Sequence, residues 1–198
     1  MVSAAAVWNP DEDDLADLGD ACRNEADYGR CFIDEMGNFA PSEAVAFSHA
    51  LLQQNPSRAG YLKELREAGP VDLAIVAYPA ASGLTQGWVL VNGTPALVNV
   101  DDLNQLPQSA MVKDAQFQVL KVKYPRMRLV VEEADRKTDV TPAILALSAG
   151  SQRFLIDYAL KEPCQTCPVV AHAGFGFDFD VTGKFLGVKF IKIAPLDR

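Results

Sequence analysis

The sequence predicts an α+β fold in which N-terminal helices pack on a mainly antiparallel sheet and the chain ends in a β-meander. Residues 1–70 carry helical patterns, whereas residues 71–198 consist mainly of β-branched and aromatic runs separated by turn residues. Strands do not alternate regularly with helices, as they would in a parallel α/β fold. A chain of 198 residues can bury one substantial core, so we expect a single domain over residues 1–198.

The overall composition excludes several classes of protein. A content of 49% hydrophobic and 22% charged residues is ordinary for a globular chain and excludes widespread disorder. The formal charge of −8 would repel a phosphate backbone, and uncharged residues interrupt the densest basic run, residues 121–128. We therefore expect no nucleic acid and no anionic membrane surface as partner. No stretch approaches the roughly 18 apolar residues of a transmembrane helix, so no membrane span is predicted.

Two helices are predicted between residues 41 and 70. The acidic run at residues 11–20 precedes them and suits either a helix N-terminus or a solvated tail. Residues 41–53 offer Ser42 as an N-cap and place three apolar side chains at helical spacing, Ala44, Phe47 and Leu51. Residues 57–70 place Tyr61, Leu62, Leu65 and Ala68 on one side and end in Gly69-Pro70. A glycine followed by proline is typical of a helix C-terminus.

A hairpin is predicted around Asn92-Gly93, after a buried strand at residues 71–78. Both turn residues tolerate the positive φ of a two-residue type I′ turn. In that register Val91 pairs with Thr94, and the missing N–H of Pro95 points away from the hairpin. We therefore expect the second strand to lie at a sheet edge near Pro95.

The rest of the chain predicts short helices followed by strands. Residues 101–106 suggest a helical turn, and residues 114–124 fit a helix better than a strand. A loop is expected at residues 136–142. Five strands are predicted at residues 127–134, 144–150, 152–160, 169–180 and 185–193.

The chain has four cysteines in two close pairs, Cys22 with Cys31 and Cys164 with Cys167. Such pairs favour disulfides in an oxidising compartment, although four cysteines allow three connectivities. In one unbroken helix Cys31 would lie about 13.5 Å along the axis from Cys22, too far for a bridge. A bridge between them requires a helix break, which residues 27–30 can supply because Gly29 tolerates left-handed conformations. Free buried thiols in a cytosolic protein are the alternative.

The Cys164-x-x-Cys167 motif has three interpretations. A redox-active pair needs a thiolate stabilised by the N-terminus of a helix, but the residues after Cys167 have a strand pattern, and His172 is far away along an extended chain. A zinc site made by all four cysteines would need a closer spacing than that of Cys22 and Cys31. A structural disulfide is the preferred interpretation.

Residues 178–189 resemble an EF-hand loop at their beginning. Four residues match its positions 1, 3, 5 and 6: Asp178, Asp180, Thr182 and Gly183. The match ends at Lys189, which stands where a bidentate Glu is needed. A hairpin explains the whole segment, because phenylalanines at alternate positions 175, 177 and 179 share one sheet face and Gly183 turns the chain. No metal site is predicted.

No catalytic motif or cofactor fingerprint is present, and helical His49 suits a surface or core role better than catalysis. The sequence favours a non-enzymatic binding protein that acts on another macromolecule, as an inhibitor, immunity or adaptor module, through a sheet edge or an exposed loop. No catalytic residue and no cofactor are predicted, and the oligomeric state stays open. The alternative is a thiol-disulfide oxidoreductase using Cys164 and Cys167.

The N-terminal segment and the cysteines bear on localisation. Residues 1–10 have no charged start and too short an apolar run for a secretory signal, yet residues 4–6, three alanines, resemble a small-residue cleavage site. Together with the paired cysteines, this favours a periplasmic or extracellular protein. A cytoplasmic location is the alternative.

Overall fold

A computed structural model describes residues 1–56, 58–80, 83–131, 141–164 and 166–196. These residues form five α-helices and nine β-strands in two antiparallel sheets. The α+β prediction is therefore confirmed. The chain divides into two compact units: unit 1 comprises Met1–Ala68, Asp72–Asn92 and Ala96–Asn99, and unit 2 comprises Gly69–Val71, Gly93–Pro95 and Val100–Arg198. The single-domain assignment stays a prediction.

Three helices open unit 1: α1 (Glu12–Cys22), α2 (Tyr28–Met36) and α3 (Ser42–Gln54). Aspartates begin the first two, because the side chains of Asp11 and Asp27 accept hydrogen bonds from backbone N–H groups three residues ahead. These caps satisfy N–H groups that have no partner inside the helix. Capping thus defines where each helix starts.

Helix α3 confirms the first helix predicted from apolar spacing. Its inward face is formed by Ala44, Phe47 and Leu51, all buried. Ser42 is its first residue, and the N-cap position is held by Pro41, which makes no side-chain cap hydrogen bond. The predicted capping role of Ser42 is therefore wrong by one position.

The sheet of unit 1 has the order β1-β2-β3-β4 with every neighbour antiparallel. Its strands are β1 (Tyr61–Arg66), β2 (Asp72–Ala80), β3 (Gly83–Val91) and β4 (Leu97–Asn99). The buried strand predicted at residues 71–78 is β2, which lies between two partners. One core cluster joins α3 to this sheet through Phe47, Leu51, Leu62, Ala74, Val76, Tyr78, Val89, Val91 and Leu97.

The second predicted helix is wrong, because three of its four apolar residues, Tyr61, Leu62 and Leu65, lie on strand β1. The register of β1 against β2 shifts between Leu62 and Glu64, which makes Lys63 an extra residue in a β-bulge. Leu62 and Leu65 consequently face the same side of the sheet although they are three positions apart. A spacing of three is also the helical spacing, so the bulge reproduces a helical pattern in a strand.

The predicted hairpin exists, but its register is wrong. Val91 pairs with Leu97 instead of Thr94, and five residues connect the strands. Asn92 has the expected positive φ of 69°, but its amide side chain bonds to both backbone groups of Val2 and to Asp72. Thr94 exchanges two backbone hydrogen bonds with the 183–185 segment. These contacts stabilise the five-residue loop at residues 92–96. β4 lies at a sheet edge, as predicted, whereas Pro95 falls in the loop.

Unit 2 contains the predicted C-terminal β-meander. Its elements are α4 (Gln108–Val112), α5 (Ala115–Lys123), β5 (Arg128–Val130), β6 (Ala143–Ala146), β7 (Gln152–Lys161), β8 (Val169–Phe179) and β9 (Phe185–Pro195). The strand order is β5-β7-β8-β9, and β6 pairs with the same edge of β7 as β5 does. Buried aromatic side chains line one face of this sheet: Phe154, Tyr158, Phe175, Phe177 and Phe179.

The helical expectations for unit 2 are confirmed. A short 3-10 turn covers Leu103–Gln105. The segment at residues 114–124, which fitted a helix better than a strand, forms α5, and Asp114 is its N-cap. The strand predicted at residues 127–134 is β5, which ends at Val130. The end of that segment and most of the loop predicted at residues 136–142 lie outside the described residues.

Candidate interaction surface

All four cysteines form disulfides. Cys22 bonds to Cys31 with a Cα–Cα distance of 5.7 Å, and Cys164 bonds to Cys167 at 5.2 Å. Both distances are ordinary for disulfides. The disulfide prediction is confirmed, and these bonds leave no thiolate for a four-cysteine zinc site.

The Cys22–Cys31 bridge joins the end of α1 to the first turn of α2. The chain breaks its helix between these elements, as the distance argument requires, but Gly29 is not the breaking residue. Asp27 caps a new helix before Gly29 is reached. Gly29 instead meets Leu52, whose Cδ1 would lie 3.1 Å from an added Cβ. The close packing of α2 against Leu52 of α3 therefore explains why residue 29 is a glycine.

The helices joined by this bridge carry the net charge of the whole chain. Residues 11–35 contain ten acidic and two basic side chains, a formal charge of −8, and the remaining chain is balanced with sixteen of each. We call residues 11–36 the acidic helix pair. Its exposed carboxylates are Asp11, Glu12, Asp13, Asp17, Asp20, Glu25, Asp27 and Asp34.

Helix stability explains only part of this charge. Glu12, Asp13 and Asp14 lie in the first turn of α1, where negative charge interacts favourably with the helix dipole. Asp17 lies in the middle of α1 and makes no hydrogen bond or ion pair within the described residues. It stands four residues from Asp13 and three from Asp20, spacings at which like charges destabilise a helix. Asp17 therefore needs an explanation outside the folding of α1.

An exposed aromatic side chain follows the acidic helix pair. Phe39 lies three residues beyond the end of α2 and is 44% exposed. The backbone before it is held by Asn38, whose side chain bonds to Glu35. Exposed aromatic side chains frequently anchor protein interfaces. Separate counts of charge in each segment would have revealed the acidic helix pair from the sequence, whereas no sequence signal identified Phe39 as exposed.

The surface rests on a packed core. Beneath it lies a cluster that includes Trp8, Leu18, Phe32, Ile33, Met36 and Tyr61. The rings of Trp8 and Tyr61 meet edge to face at 5.0 Å, and burial raises the pKa of Tyr61 to about 12. Packing and the disulfide together hold the acidic side chains on a fixed scaffold, which lowers the entropy lost on binding.

The second disulfide closes the connection between β7 and β8, where the strand prediction placed it. Cys164 is exposed and Cys167 half-buried. The segment after Cys167 is strand β8, so the helix N-terminus that activates a thioredoxin-like cysteine is missing here. His172 lies on β8 opposite Ala159, and His49 is exposed on α3.

The aspartates of the EF-hand-like segment are engaged within the hairpin β8–β9. Arg153 donates two hydrogen bonds to Asp178 at 2.5 and 2.7 Å, and Lys189 lies 3.1 Å from the same carboxylate. Burial would raise the pKa of Asp178, but the bonds from Arg153 and Lys189 outweigh it and the pKa lies below its ordinary value. Gly176 leaves space for the Arg153 side chain, because a Cβ added at residue 176 would lie 2.8 Å from that side chain.

Asp180 stabilises the turn of the same hairpin. It accepts hydrogen bonds from the backbone and hydroxyl of Thr182 and from the backbone of Lys184. The Thr182 hydroxyl bond is the main cause of its lowered pKa. Gly183 has the expected positive φ, 79°. The hairpin prediction is confirmed, and within the described residues no group of three metal-binding side chains occurs.

None of the helices in the described ranges has the length and hydrophobicity needed to cross a membrane. Comparison with family models, with curated proteins and with solved structures gives no match.

Proposed function

We propose that this protein is an exported, non-enzymatic binding protein that acts on another macromolecule as an inhibitor, immunity or adaptor module. The observation that carries the proposal is the acidic helix pair, which holds the entire formal charge of −8 beside the exposed Phe39. Charge of this kind steers a partner of opposite sign and fixes its orientation. The partner we propose is therefore a basic protein.

The spacing of the carboxylates supports a macromolecular partner rather than a small ion. The exposed acids extend along two helices, and a helix of 11 residues such as α1 is about 16 Å long. A single cation contacts ligands within about 2.6 Å. An extended acidic surface with an aromatic residue at its end instead has the composition of a protein interface, in which aromatic anchors supply most of the binding energy.

The β9 edge of the sheet in unit 2 is a less suitable docking site than the acidic helix pair. Strand β9 pairs with β8 alone among the described strands, and its register shifts twice, at Leu186 and at Ile191. Bulges and lysines such as Lys189 and Lys192 are features that protect an edge strand from pairing with another chain. We therefore assign recognition to the acidic helix pair instead of to β9.

An oxidising compartment agrees with this proposal. Two disulfides in one chain fit a periplasmic or extracellular protein, because cytosolic reductants keep thiols reduced. The Cys22–Cys31 bridge would fix the two acidic helices only where it is oxidised. A cytoplasmic location is the alternative, and it would leave this surface without its covalent clamp.

The proposal is tested by cross-linked capture from an extract of the producing cells with two charge-matched double variants. Asp13→Asn/Asp17→Asn removes two charges from the acidic helix pair, and Glu43→Gln/Glu67→Gln removes two exposed charges elsewhere. We expect a basic protein to be captured by the wild type and the control variant, with at least tenfold less captured by the first variant. Equal capture by all three proteins would contradict the proposal.

The exposed Cys164 favours a second candidate, a thiol-disulfide oxidoreductase using Cys164 and Cys167. Its disulfide lies in an exposed loop, where a thiolate could reach it. Insulin reduction separates the two functions, since a catalytic dithiol is essential and a structural one is not. We expect no turnover by the wild type and unchanged partner capture by Cys164→Ser/Cys167→Ser. Turnover that disappears in this variant, without any captured partner, would establish the oxidoreductase instead.

A further inference from the structure

A second charged surface of opposite sign lies in unit 2, on α4, α5 and the chain that follows them. Residues 112–128, which we call the basic face, contain five basic side chains and one acidic one, a formal charge of +4. The exposed charges are Lys113, Lys123, Arg126 and Arg128. In a chain with a formal charge of −8, this local excess of positive charge is a distinct surface.

The basic face also exposes apolar side chains. Val119 is 65% exposed, Val122 is 87% exposed, and Val112 at the end of α4 is 44% exposed. Val119 and Val122 are three residues apart on α5, so they lie on the same side of the helix. Phe117, in contrast, is buried. The helix thus buries one apolar side and leaves another in solvent.

Folding of α5 does not account for these valines. β-Branched residues lose rotamer freedom in a helix, so an exposed position gains neither packing nor helix propensity from valine. Some charges of the face have internal roles, since Lys121 donates to the Met127 carbonyl at 2.9 Å and Arg126 lies 3.7 Å from Glu162. Lys123 lies over the neighbouring Tyr124 ring, 5.3 Å from its centroid, whereas Val119 and Val122 have no such role within the described residues.

We propose that the basic face binds the acidic helix pair of a second copy of this chain. The two surfaces are complementary in charge, +4 against −8, and each carries exposed apolar groups, Val119 and Val122 on one and Phe39 on the other. Ion pairs at the rim would then surround an apolar contact, the usual arrangement of a protein interface. The contact is heterologous, because two different surfaces meet, and it joins copies head to tail.

The proposal rests on the proposed function in one respect, that the same acidic surface does the binding. A basic partner would therefore compete with self-association and release single copies. Salt dependence follows from the charges. At about 0.1 M salt the Debye length is near 10 Å, so repulsion between the net charges is screened while pairs in contact persist. At about 1 M these pairs weaken as well.

The experiment measures weight-average mass by sedimentation at rising concentration in about 0.1 M salt. We expect the mass of the wild type to rise above that of one chain. Val122→Asp/Lys123→Glu should stay a single chain, as should Asp13→Asn/Asp17→Asn. The control Val181→Asp/Lys184→Glu makes the same charge change at exposed positions of the β8–β9 turn and should associate like the wild type. A wild type that remains a single chain overturns the proposal, as does loss of association in the control.

Mixing gives a sharper test. Val122→Asp/Lys123→Glu retains its acidic surface and Asp13→Asn/Asp17→Asn retains its basic one, so an equimolar mixture should form a complex of two chains and nothing larger. A mixture that stays monomeric overturns head-to-tail binding. Lys113→Glu/Lys123→Glu repeats the test without touching the valines, and circular dichroism confirms that each variant is folded. Val122→Asp/Lys123→Glu should still capture the basic partner, so failure of the proposed function would be seen separately.

Discussion

Asp17 of the acidic helix pair and the aspartates of the hairpin β8–β9 have opposite relations to the fold. In the hairpin, Asp178 is buried against two cations and Asp180 accepts the hydrogen bonds of a turn. In the acidic helix pair, Asp17 is exposed, and the charged residues at helical spacing from it, Asp13, Asp14 and Asp20, are all acidic. The hairpin aspartates stabilise the folded chain, whereas Asp17 destabilises α1 slightly.

This difference shows how to separate structural charge from charge that serves binding. A motif does not decide the matter, because the EF-hand-like segment contains the aspartates with the strongest structural roles. Structural charge is distinguished from binding charge by the number of hydrogen-bond and ion-pair partners that each carboxylate has inside the fold. Carboxylates whose oxygens are engaged inside the fold cannot also present full charge to another molecule, whereas unpaired carboxylates on a rigid scaffold can.

The two disulfides extend the comparison and provide the largest expected effect. Cys22 is fully buried in unit 1, so Cys22→Ala/Cys31→Ala should remove both the covalent link and core contacts. We expect the free energy of unfolding to fall by about 2.5 to 4 kcal/mol, measured by urea denaturation. A loss below about 1 kcal/mol would show that the helices do not need the clamp.

The Asp178 ion cluster should give the next largest effect. Asp178→Asn leaves Arg153 and Lys189 without their carboxylate, and we expect the unfolding free energy to fall by about 1 to 3 kcal/mol at neutral pH. The estimate is moderate because the Arg153 side chain is 19% exposed and can be partly hydrated. Thermal denaturation of the variant beside Lys189→Met would separate the two cations, with the smaller loss expected for the exposed lysine.

The same cluster predicts a direction for acid denaturation. The folded-state pKa of Asp178 lies below its ordinary value, so the folded state binds fewer protons than the unfolded state near that value. The stabilisation is present above the unfolded pKa of about 3.9 and is lost as pH falls through the folded pKa. Asp178→Asn should therefore lose less stability than the wild type between about pH 4 and pH 2.

The second disulfide should matter less than the first. Cys164 is exposed, and the closed loop spans three positions of sequence instead of nine. A shorter loop restricts the unfolded chain less, so Cys164→Ser/Cys167→Ser should cost less than about 2 kcal/mol. Urea denaturation of both disulfide variants under identical conditions makes the comparison. An equal or larger loss for this loop would contradict the difference between the regions.

Elements in which one local pattern, such as period-two alternation or helical spacing, dominates were predicted correctly from the sequence. The phenylalanines of β8 alternate in period two, and α3 has an apolar face at helical spacing, so both were correct. The strand predicted at residues 144–150 was correct only in part, because β6 ends at Ala146 and Ser148–Gly150 form a 3-10 helix. β1 was predicted as a helix because the bulge at Lys63 places Leu62 and Leu65, three positions apart, on one face. Local spacing cannot distinguish that geometry from a helix without its partner strand.

The site was predicted only in part for a similar reason. The four cysteines predicted disulfides but left their connectivity open, and the net charge was known, but the bridge between the two acidic helices depends on the break between α1 and α2. The exposure of Phe39 depends on the packing of the helices around it. The hairpin register was wrong because Asn92 bonds to Val2, ninety residues away in sequence.

The smallest expected effect is a gain in stability from Asp17→Asn. Removing this charge relieves repulsion from Asp13 and Asp20 and breaks no bond, so the unfolding free energy should rise by about 0.2 to 0.5 kcal/mol. Glu43→Gln is the control, and it should lower the unfolding free energy. Glu43 lies in the first turn of α3, where its charge interacts favourably with the helix dipole. Both changes should shrink in about 1 M salt. A loss of stability in Asp17→Asn would mean that this carboxylate supports the fold, and the distinction between Asp17 and the hairpin aspartates would fail.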